Sequence, residues 1–470
     1  RAQHATGTVF DPRSQLTDVD VPRVNLSVPR PVVNWSGIPT ILLAAIALVL
    51  IITALISKAP HSKKQLLPGP PALPFLGTRW LFWSRYRMNK LHEAYEDMFR
   101  RYGSVFAEVT PGGVTVVSVA ERGALEAILR IPAKLPYRPP TEIVQFYRRS
   151  RPDRYASTGL VNEQGEKWYH LRKNLTSELT SPQTMKGFLP NLNGICDDFL
   201  ELLQNSRGKD GTITGFEQLT NRMGLESLCG LMLGSRLGFL EKSMSGRAAT
   251  LAAAVKAHFR AQRDSYYVGC SFSWKPTVIL INQSIKLIMD VANTLIFMLY
   301  LLSGRPDWQQ RIRSELPSAG DLDAEQLSAA PSVRAAIYES FRLLPIAPFL
   351  ARLLDTPMTI GGQRIQPGTF ILAHTGAACR NEENFWRARE YLPERWTEPR
   401  EPHAVGLVAP FGRGRRMCPG KRFVELELQL LLAKIIQRWR VEFDGELDIQ
   451  FDFLLSPKSP VTLRLVEWDN

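Results

Sequence analysis

The chain has 470 residues, 44% of them apolar and 22% charged, an ordinary globular balance with room for one large domain or a few small ones. A net charge of +13 suits nucleic acid, anionic lipid or an acidic protein as partner, but no zinc-finger spacing or aromatic–basic motif is present, so nucleic acid is set aside. The five cysteines (Cys196, Cys229, Cys270, Cys379 and Cys418) are odd in number and form no C-x-x-C pair, which excludes a disulfide scaffold and points to a reducing environment.

In chain order, residues 1–37 form an N-terminal segment. Its first 35 positions hold four arginines but also three aspartates, a poor composition for a mitochondrial presequence. Residues 38–56 are a largely apolar run without a charge, long enough to cross a bilayer as one helix. Lys58, Lys63 and Lys64 follow, which places the larger C-terminal part in the cytosol by the positive-inside rule. Residues 57–77 are a basic, proline-rich hinge ending in Leu67-Pro68-Gly69-Pro70-Pro71-Ala72-Leu73-Pro74-Phe75-Leu76-Gly77. Residues 78–470 form the remaining domain. An amphipathic helix is expected over 88–102, and a β-hairpin over 105–109 and 114–119 around Pro111-Gly112-Gly113. Helices are expected near 186–206, 216–233, 279–303, 306–316, 331–344 and 420–440. Short strands fall within 351–372 around Gly361-Gly362, and a hairpin near 447–466 turns through Ser456-Pro457. On the helix at 331–344, Glu339 and Arg342 stand three apart on one face and can pair.

The run Phe411-Gly412-Arg413-Gly414-Arg415-Arg416-Met417-Cys418-Pro419-Gly420 is the most specific feature. A thiolate in such a loop can be the axial ligand of a haem iron, where it pushes electron density onto the metal and favours O–O cleavage. Gly414 and Gly420 allow tight turns around the sulfur. The N-terminus of the following helix stabilises the anion. Arg416 supplies a fixed charge for a haem propionate, and Phe411 can lie against the sulfur and limit water.

Every fixed position of that run fits the cysteine-loop signature Phe-x-x-Gly-x-Arg-x-Cys-x-Gly, so the chain resembles the cytochrome P-450 family. Upstream segments agree. Glu339-Ser340-Phe341-Arg342 lies 79 residues before Cys418, Pro393-Glu394-Arg395-Trp396 resembles the family's meander, and Trp168-Tyr169-His170-Leu171-Arg172 resembles the Trp-x-x-x-Arg of its third long helix. The resemblance implies a mainly α-helical fold with small β-sheets, here preceded by one transmembrane helix. It implies haem b (iron protoporphyrin IX) on Cys418, and propionate contacts from Trp168, Arg172, Arg352 and Arg416. Glu339, Arg342 and Arg395 become a buried charge network under the haem. It further implies a monooxygenase taking O₂, an apolar substrate and a redox partner, either an NADPH-dependent reductase or a ferredoxin, beside membrane lipid. Within the family the chain resembles the animal mitochondrial clan. The stretches Arg151–Tyr155, Gly165–Trp168 and Phe259–Tyr267 resemble insect members that hydroxylate the moulting steroid, so an ecdysteroid is the expected substrate. The endoplasmic reticulum membrane is the expected location, with the mitochondrial inner membrane as the alternative.

Two features depart from the family. Its oxygen-activating helix carries an Ala/Gly-Gly-x-Asp/Glu-Thr segment, but here Ile285–Asp290 holds no glycine, Asp290 takes the threonine's place, and a segment is missing near 268–290. Asp290 and Thr294 are therefore the candidate proton-handling residues. Either a misread exon boundary or splice variant, or a real protein with altered oxygen chemistry, would explain the departure. The alternatives are an isomerase or dehydratase that uses no O₂, or a catalytically impaired haem-binding protein. In the second departure, Arg334 matches the first of two basic residues that meet a ferredoxin in the mitochondrial clan, but Tyr338 replaces the second.

Overall fold

The computed structural model describes residues 67–254 and 286–468, apart from short stretches at 74–75, 112, 131–135, 139–141, 180, 243, 245, 247 and 453. The side chains of 142–143, 177–179 and 286–290 also lie outside the description, and before residue 67 only positions 42, 46, 47, 49 and 50 fall within it. The chain divides into two units, Arg1–Lys63 and Lys64–Asn470. The expected anchor at 38–56 therefore lies almost wholly outside the described residues. Among those described, no helix is long and apolar enough to cross a membrane.

The helices follow from apolar periodicity and end signals. In α1 (Leu91–Tyr102), Leu91, Ala94, Tyr95 and Met98 are buried at helical spacing, and the helix stops at Gly103 with φ 91°. The hairpin β1 (Val105–Val109) and β2 (Thr115–Val119) follows, then α2 (Arg122–Arg130), α3 (Glu142–Ser150) and α4 (Gly165–Leu179). Helix α5 (Pro182–Ser206) begins as its residues dictate. Pro182 takes the first turn, and the Ser181 hydroxyl accepts the Thr184 N–H at 3.0 Å. Strand β3 (Thr212–Thr214) leads into α6 (Phe216–Leu233). Then come α7 (Lys286–Ser303), α8 (Pro306–Glu315) and α9 (Pro331–Leu343). From Val291 to Leu299 every residue of α7 is buried, because this helix runs through the core against α6 and α9.

Strands β4 (Leu350–Leu353), β5 (Met358–Ile360), β6 (Gln363–Ile365) and β7 (Phe370–Ala373) come next, and Gly361-Gly362 turns β5 into β6 with both φ values positive, as a two-residue hairpin requires. The main sheet runs β1-β2-β7-β4, with β2 and β7 parallel and the other pairs antiparallel. It sets Arg352 opposite Ile371. After α10 (Thr375–Cys379) a long irregular stretch holds a 3-10 turn at Pro393–Trp396 and the Cys418 loop. Helix α11 (Lys421–Arg438) then packs on α5, α7 and α9, and its apolar face joins theirs in the main core.

The C-terminal strands correct one expectation. Ser456 and Pro457 are not a turn. They belong to β10 (Leu455–Pro457), paired antiparallel with β9 (Ile449–Phe451), with Leu455 opposite Phe451. Pro457 is tolerated because it closes the ladder at its last pair, where its missing N–H interrupts nothing beyond. Strand β11 (Thr462–Glu467) pairs instead with β3 and with β8 (Trp439–Glu442).

Burial shifts the titration of several groups in the described core, Glu427 among them. Glu427 on α11 is fully buried and bonded to the Ser227 hydroxyl of α6, its second oxygen has no partner, and Cys196 of α5 lies near. Burial raises its pKa to about 8, with the Ser227 bond opposing. The folded state thus keeps a proton that the unfolded chain releases near the ordinary carboxyl value. Stability from this group is full at acid pH, falls from about pH 4.5 to about 8, and is flat above. Glu427→Gln should flatten that slope, worth on the order of a few kcal/mol across the window. Urea melts at pH 5 and pH 8 measure it, and an unchanged wild-type-minus-variant difference between the two would show that Glu427 is ionised in the fold.

Candidate functional site

The loop ahead of α11 is wound around the Cys418 sulfur by its own backbone. The Cys418 N–H reaches back to the Phe411 carbonyl at 2.8 Å, and the Met417 N–H to that of Gly414 at 3.0 Å. Gly412 and Gly414 take φ of 71° and 74°, which makes glycine necessary at both. Gly420 does not need it for that reason. It caps α11 at φ −79°, a backbone open to any residue, and Gly412 is the second left-handed position that the sequence reading passed over. The Phe411 ring meets Phe341 of α9 edge-on at 5.4 Å. Cys418 is half-buried, and none of the described cysteines is in a disulfide.

Four guanidinium groups gather around this loop. Arg172 of α4 donates to the Met417 carbonyl at 2.6 Å, and Arg352 of β4 to the Arg413 carbonyl at 3.4 Å. Arg416 stacks on Trp168 of α4, 4.1 Å from the ring centre, and donates to Pro136 O, Leu160 O, Glu163 O and Gln164 Oε1. Those four bonds occupy most of its five N–H groups, so Arg416, expected chiefly at a propionate, first ties the loop to residues 136 and 160–164. The fourth group belongs to Arg138, which the sequence reading missed. Burial lowers the pKa of all four, Arg416 to about 10, and the charges feel one another. Cys418 pulls Arg138 and Arg172 back up, and Arg138 pushes Arg352 and Arg416 further down. Among the described residues none of the four has a carboxylate partner within ion-pair distance, and the Trp168 indole N–H donates no hydrogen bond. A buried cluster of like charges needs an anion. A porphyrin with two carboxylates, set against a thiol, fits that need.

Beside it, Glu339 is fully buried and receives both sides of Arg342 at 2.9 Å, Arg395 at 3.1 Å, the Trp396 indole at 3.0 Å and the Leu392 N–H at 2.9 Å. Every lone pair of the carboxylate is used, which is the condition for burying such a group. On α7, Asp290 and Thr294 stand one turn apart. Thr294 is buried, and the Asp290 side chain lies outside the described residues. Tyr338, where a basic residue was sought, donates its hydroxyl to Glu425 of α11 at 3.1 Å, while Arg334 is exposed. His374 is enclosed by Tyr95, Phe99 and Phe349 and bonds Ser118 at 3.2 Å. Among the described residues no cluster of three or more His, Cys, Asp or Glu can hold a bare metal ion.

The family model "Cytochrome P450", written here cytochrome P-450, matches residues 67–282 and 289–464. The chain belongs to the cytochrome P-450 family. Its fold is that of the family, mainly helical with small sheets, and it is a haem-thiolate monooxygenase that works with O₂, an organic substrate and a redox partner. Haem supplies oxygen activation at an iron held by a thiolate. The chain is 41% identical to an ecdysone 20-monooxygenase of Drosophila melanogaster, over 85% of this chain and 88% of that protein. It is 28% identical to the mitochondrial 1,25-dihydroxyvitamin D(3) 24-hydroxylase of Mus musculus, over 80% and 83% of the two. It is 26% identical to the mitochondrial sterol 26-hydroxylase of Rattus norvegicus, over 85% and 88%. The cytochrome P-450 match breaks between residues 282 and 289, at the start of α7. The Drosophila alignment runs over 474 positions yet uses 85% of this 470-residue chain, so several tens of positions in the relative have no counterpart here.

Proposed function

We propose that this chain is a steroid hydroxylase acting on an ecdysteroid, with Cys418 as the thiolate on the haem iron. The observation that carries the reading is the Cys418 loop ringed by four guanidinium groups without a carboxylate. The 41% identity to an ecdysone 20-monooxygenase supports the substrate class. In this reading Arg172, Arg352 and the Trp168 indole hold the haem carboxylates. Arg416 completes that ring while fastening the loop, and Phe411 keeps water from the sulfur. The test is ecdysone added to the haem-loaded protein under ¹⁸O₂ with reduced ferredoxin. The expected result is a substrate-induced shift of the haem band and a product carrying one labelled oxygen. No shift with any ecdysteroid, or product without label, overturns it.

The electron donor in this reading is an acidic ferredoxin. A groove of about 480 Å³ lined by Arg172, Lys173, Arg415 and Arg422 opens next to the Cys418 loop, and its charge suits such a partner. With Tyr338 tied to Glu425, docking leans on this groove more than on α9. Relatives designated mitochondrial support the mitochondrial inner membrane over the endoplasmic reticulum, and residues 38–56 would supply the membrane contact.

The oxygen helix sets a limit on turnover. General acid–base assistance is typically worth about 10²–10⁴-fold, and an aspartate at position 290 is ionised at neutral pH unless its surroundings disfavour the anion. This chain should therefore consume NADPH, through its ferredoxin, with little product and with release of hydrogen peroxide. A transcript that restores a Gly-x-x-Thr segment should raise product per NADPH consumed. Equal, tight coupling in both forms would make Asp290 or Thr294 a working substitute.

A further inference from the structure

From the Cys418 loop a file of aromatic rings leads to the protein surface. Phe411 meets Phe341 edge-on at 5.4 Å, Phe341 meets Tyr338 at 6.2 Å with the ring planes perpendicular, and Tyr338 lies against Trp396 at 5.4 Å. Phe411 is joined to the cysteine by its carbonyl, which accepts the Cys418 N–H at 2.8 Å. Phe341 is buried, whereas Tyr338 and Trp396 are half-buried. The file thus begins with two phenyl rings, which resist oxidation, and ends in a phenol and an indole, which give up an electron far more readily. The two end rings differ in what can take their proton. The Tyr338 hydroxyl donates to Glu425 of α11 at 3.1 Å, and Lys421 stands 3.8 Å from the same carboxylate. The Trp396 indole donates to Glu339 at 3.0 Å, but that carboxylate also receives Arg342, Arg395 and the Leu392 N–H, and no lone pair is left for a proton. Burial and the Glu425 charge both keep the Tyr338 phenol protonated until it is oxidised. A phenol that loses an electron becomes strongly acidic, so it is oxidised most easily where a base takes its proton at once. A phenylalanine at 338 would fill the same space. The hydroxyl and its carboxylate are what packing does not require.

We propose that Tyr338 is a one-electron donor to the haem-thiolate centre, connected to it through Phe341 and Phe411, with Glu425 as the base that takes its proton. The inference rests on the haem reading of the Cys418 loop. It gives the chain a further function, the discharge of oxidising equivalents that no substrate has consumed. In each event one electron passes inward from Tyr338, its O–H bond breaks, and the proton forms a new O–H bond on the Glu425 carboxylate. A neutral phenoxyl radical is left at 338. A soluble thiol or ascorbate then supplies an electron from the solvent side, and Glu425 returns the proton. Two such events, with two protons from water, cancel the two oxidising equivalents that O–O cleavage leaves behind.

The test mixes the full, haem-loaded chain with hydrogen peroxide, without substrate or reductant, and reads the frozen sample by electron paramagnetic resonance. The parent should give a radical whose hyperfine splitting collapses when the tyrosines are ring-deuterated. Tyr338→Phe, which keeps the ring and loses the hydroxyl, should lose most of that signal and bleach its haem several-fold faster. Glu425→Gln, which keeps an acceptor but no base, should form the radical more slowly. A radical of unchanged size in Tyr338→Phe, or none in the parent, overturns the proposal, and a Glu425→Gln protein as fast as the parent overturns the role of Glu425. A thiolate-type band in the reduced, carbon monoxide-bound variants shows that fold and ligand survive. If the parent lacks that band, the haem reading fails and the proposal with it. If the band is present and the radical lies elsewhere, the proposal alone fails. Should Tyr338→Phe not fold, the parent decides. A nitroso spin trap added with the peroxide, followed by digestion and mass spectrometry, should mark Tyr338, and adducts confined to other residues overturn the proposal.

Discussion

Cys418→Ala should abolish the red-shifted band of the reduced, carbon monoxide-bound protein and all oxygenated product with it. This loss should be complete rather than graded, because no other described cysteine is fitted to replace it. Burial drives the Cys379 thiol up to about 12 and that of Cys196 well above the ordinary value, and it raises Cys229 too. A thiol that stays protonated is a poor metal ligand. Among the described cysteines, Cys418 alone sits half-exposed in an arginine-lined loop just before the N-terminus of α11. The matching substitutions Cys196→Ala and Cys379→Ala should leave the band in place. A Cys418→Ala protein that keeps it would mean that another group binds the iron.

The second large effect is expected at Glu339. Glu339→Gln leaves Arg342 and Arg395 buried beside an amide that cannot balance them, and breaking a buried pair from one side costs about 3–5 kcal/mol. That is a large part of the stability of an ordinary domain. The variant should accumulate poorly and melt at clearly lower urea concentration. Removing two members at once should cost less than the sum of the single losses, since the pairs share one carboxylate. Urea midpoints of Glu339→Gln, Arg395→Met and the double variant test this. Additive effects, or a Glu339→Gln protein as stable as the parent, would show that the three groups are not one network.

The parts legible in the sequence share one property, which is that their chemistry is written in a short stretch of chain. The Cys418 loop needs its glycines, arginines and cysteine within ten positions, and Glu339 and Arg342 announce their pairing by helical spacing. Arg395 was found because Pro393–Trp396 is itself a recognisable run. Arg138 was not found, because its backbone is held by Gln164, 26 positions away, and nothing local distinguishes it from a loop arginine. Gly412 and Gly420 were confused because which glycine turns backward depends on how the loop closes onto Phe411. Glu427 reads as a surface residue on an α11 rich in charge. Only the packing of α5 and α6 over it makes it buried. Ser456-Pro457 carries ordinary turn chemistry, and pairing with Ile449 and Gln450 overrides it.

The Glu339 cluster also predicts where the chain can change. Arg342 binds the carbonyls of Cys379, Ala388 and Glu390, and Arg395 those of Trp386 and Arg387. These contacts grip the irregular stretch by its main chain, so they read its path and not its letters. In a saturation scan scored for folded protein, positions 339, 342 and 395 should accept almost no replacement. The side chains of Arg387 and Glu390 face solvent as a pair on one another, so Glu390 should be widely exchangeable, whereas Arg387, with φ 49°, should reject β-branched residues and accept glycine or asparagine. Neighbouring residues along one loop would then evolve at very different rates, set by whether the fold holds their side chain or only their carbonyl.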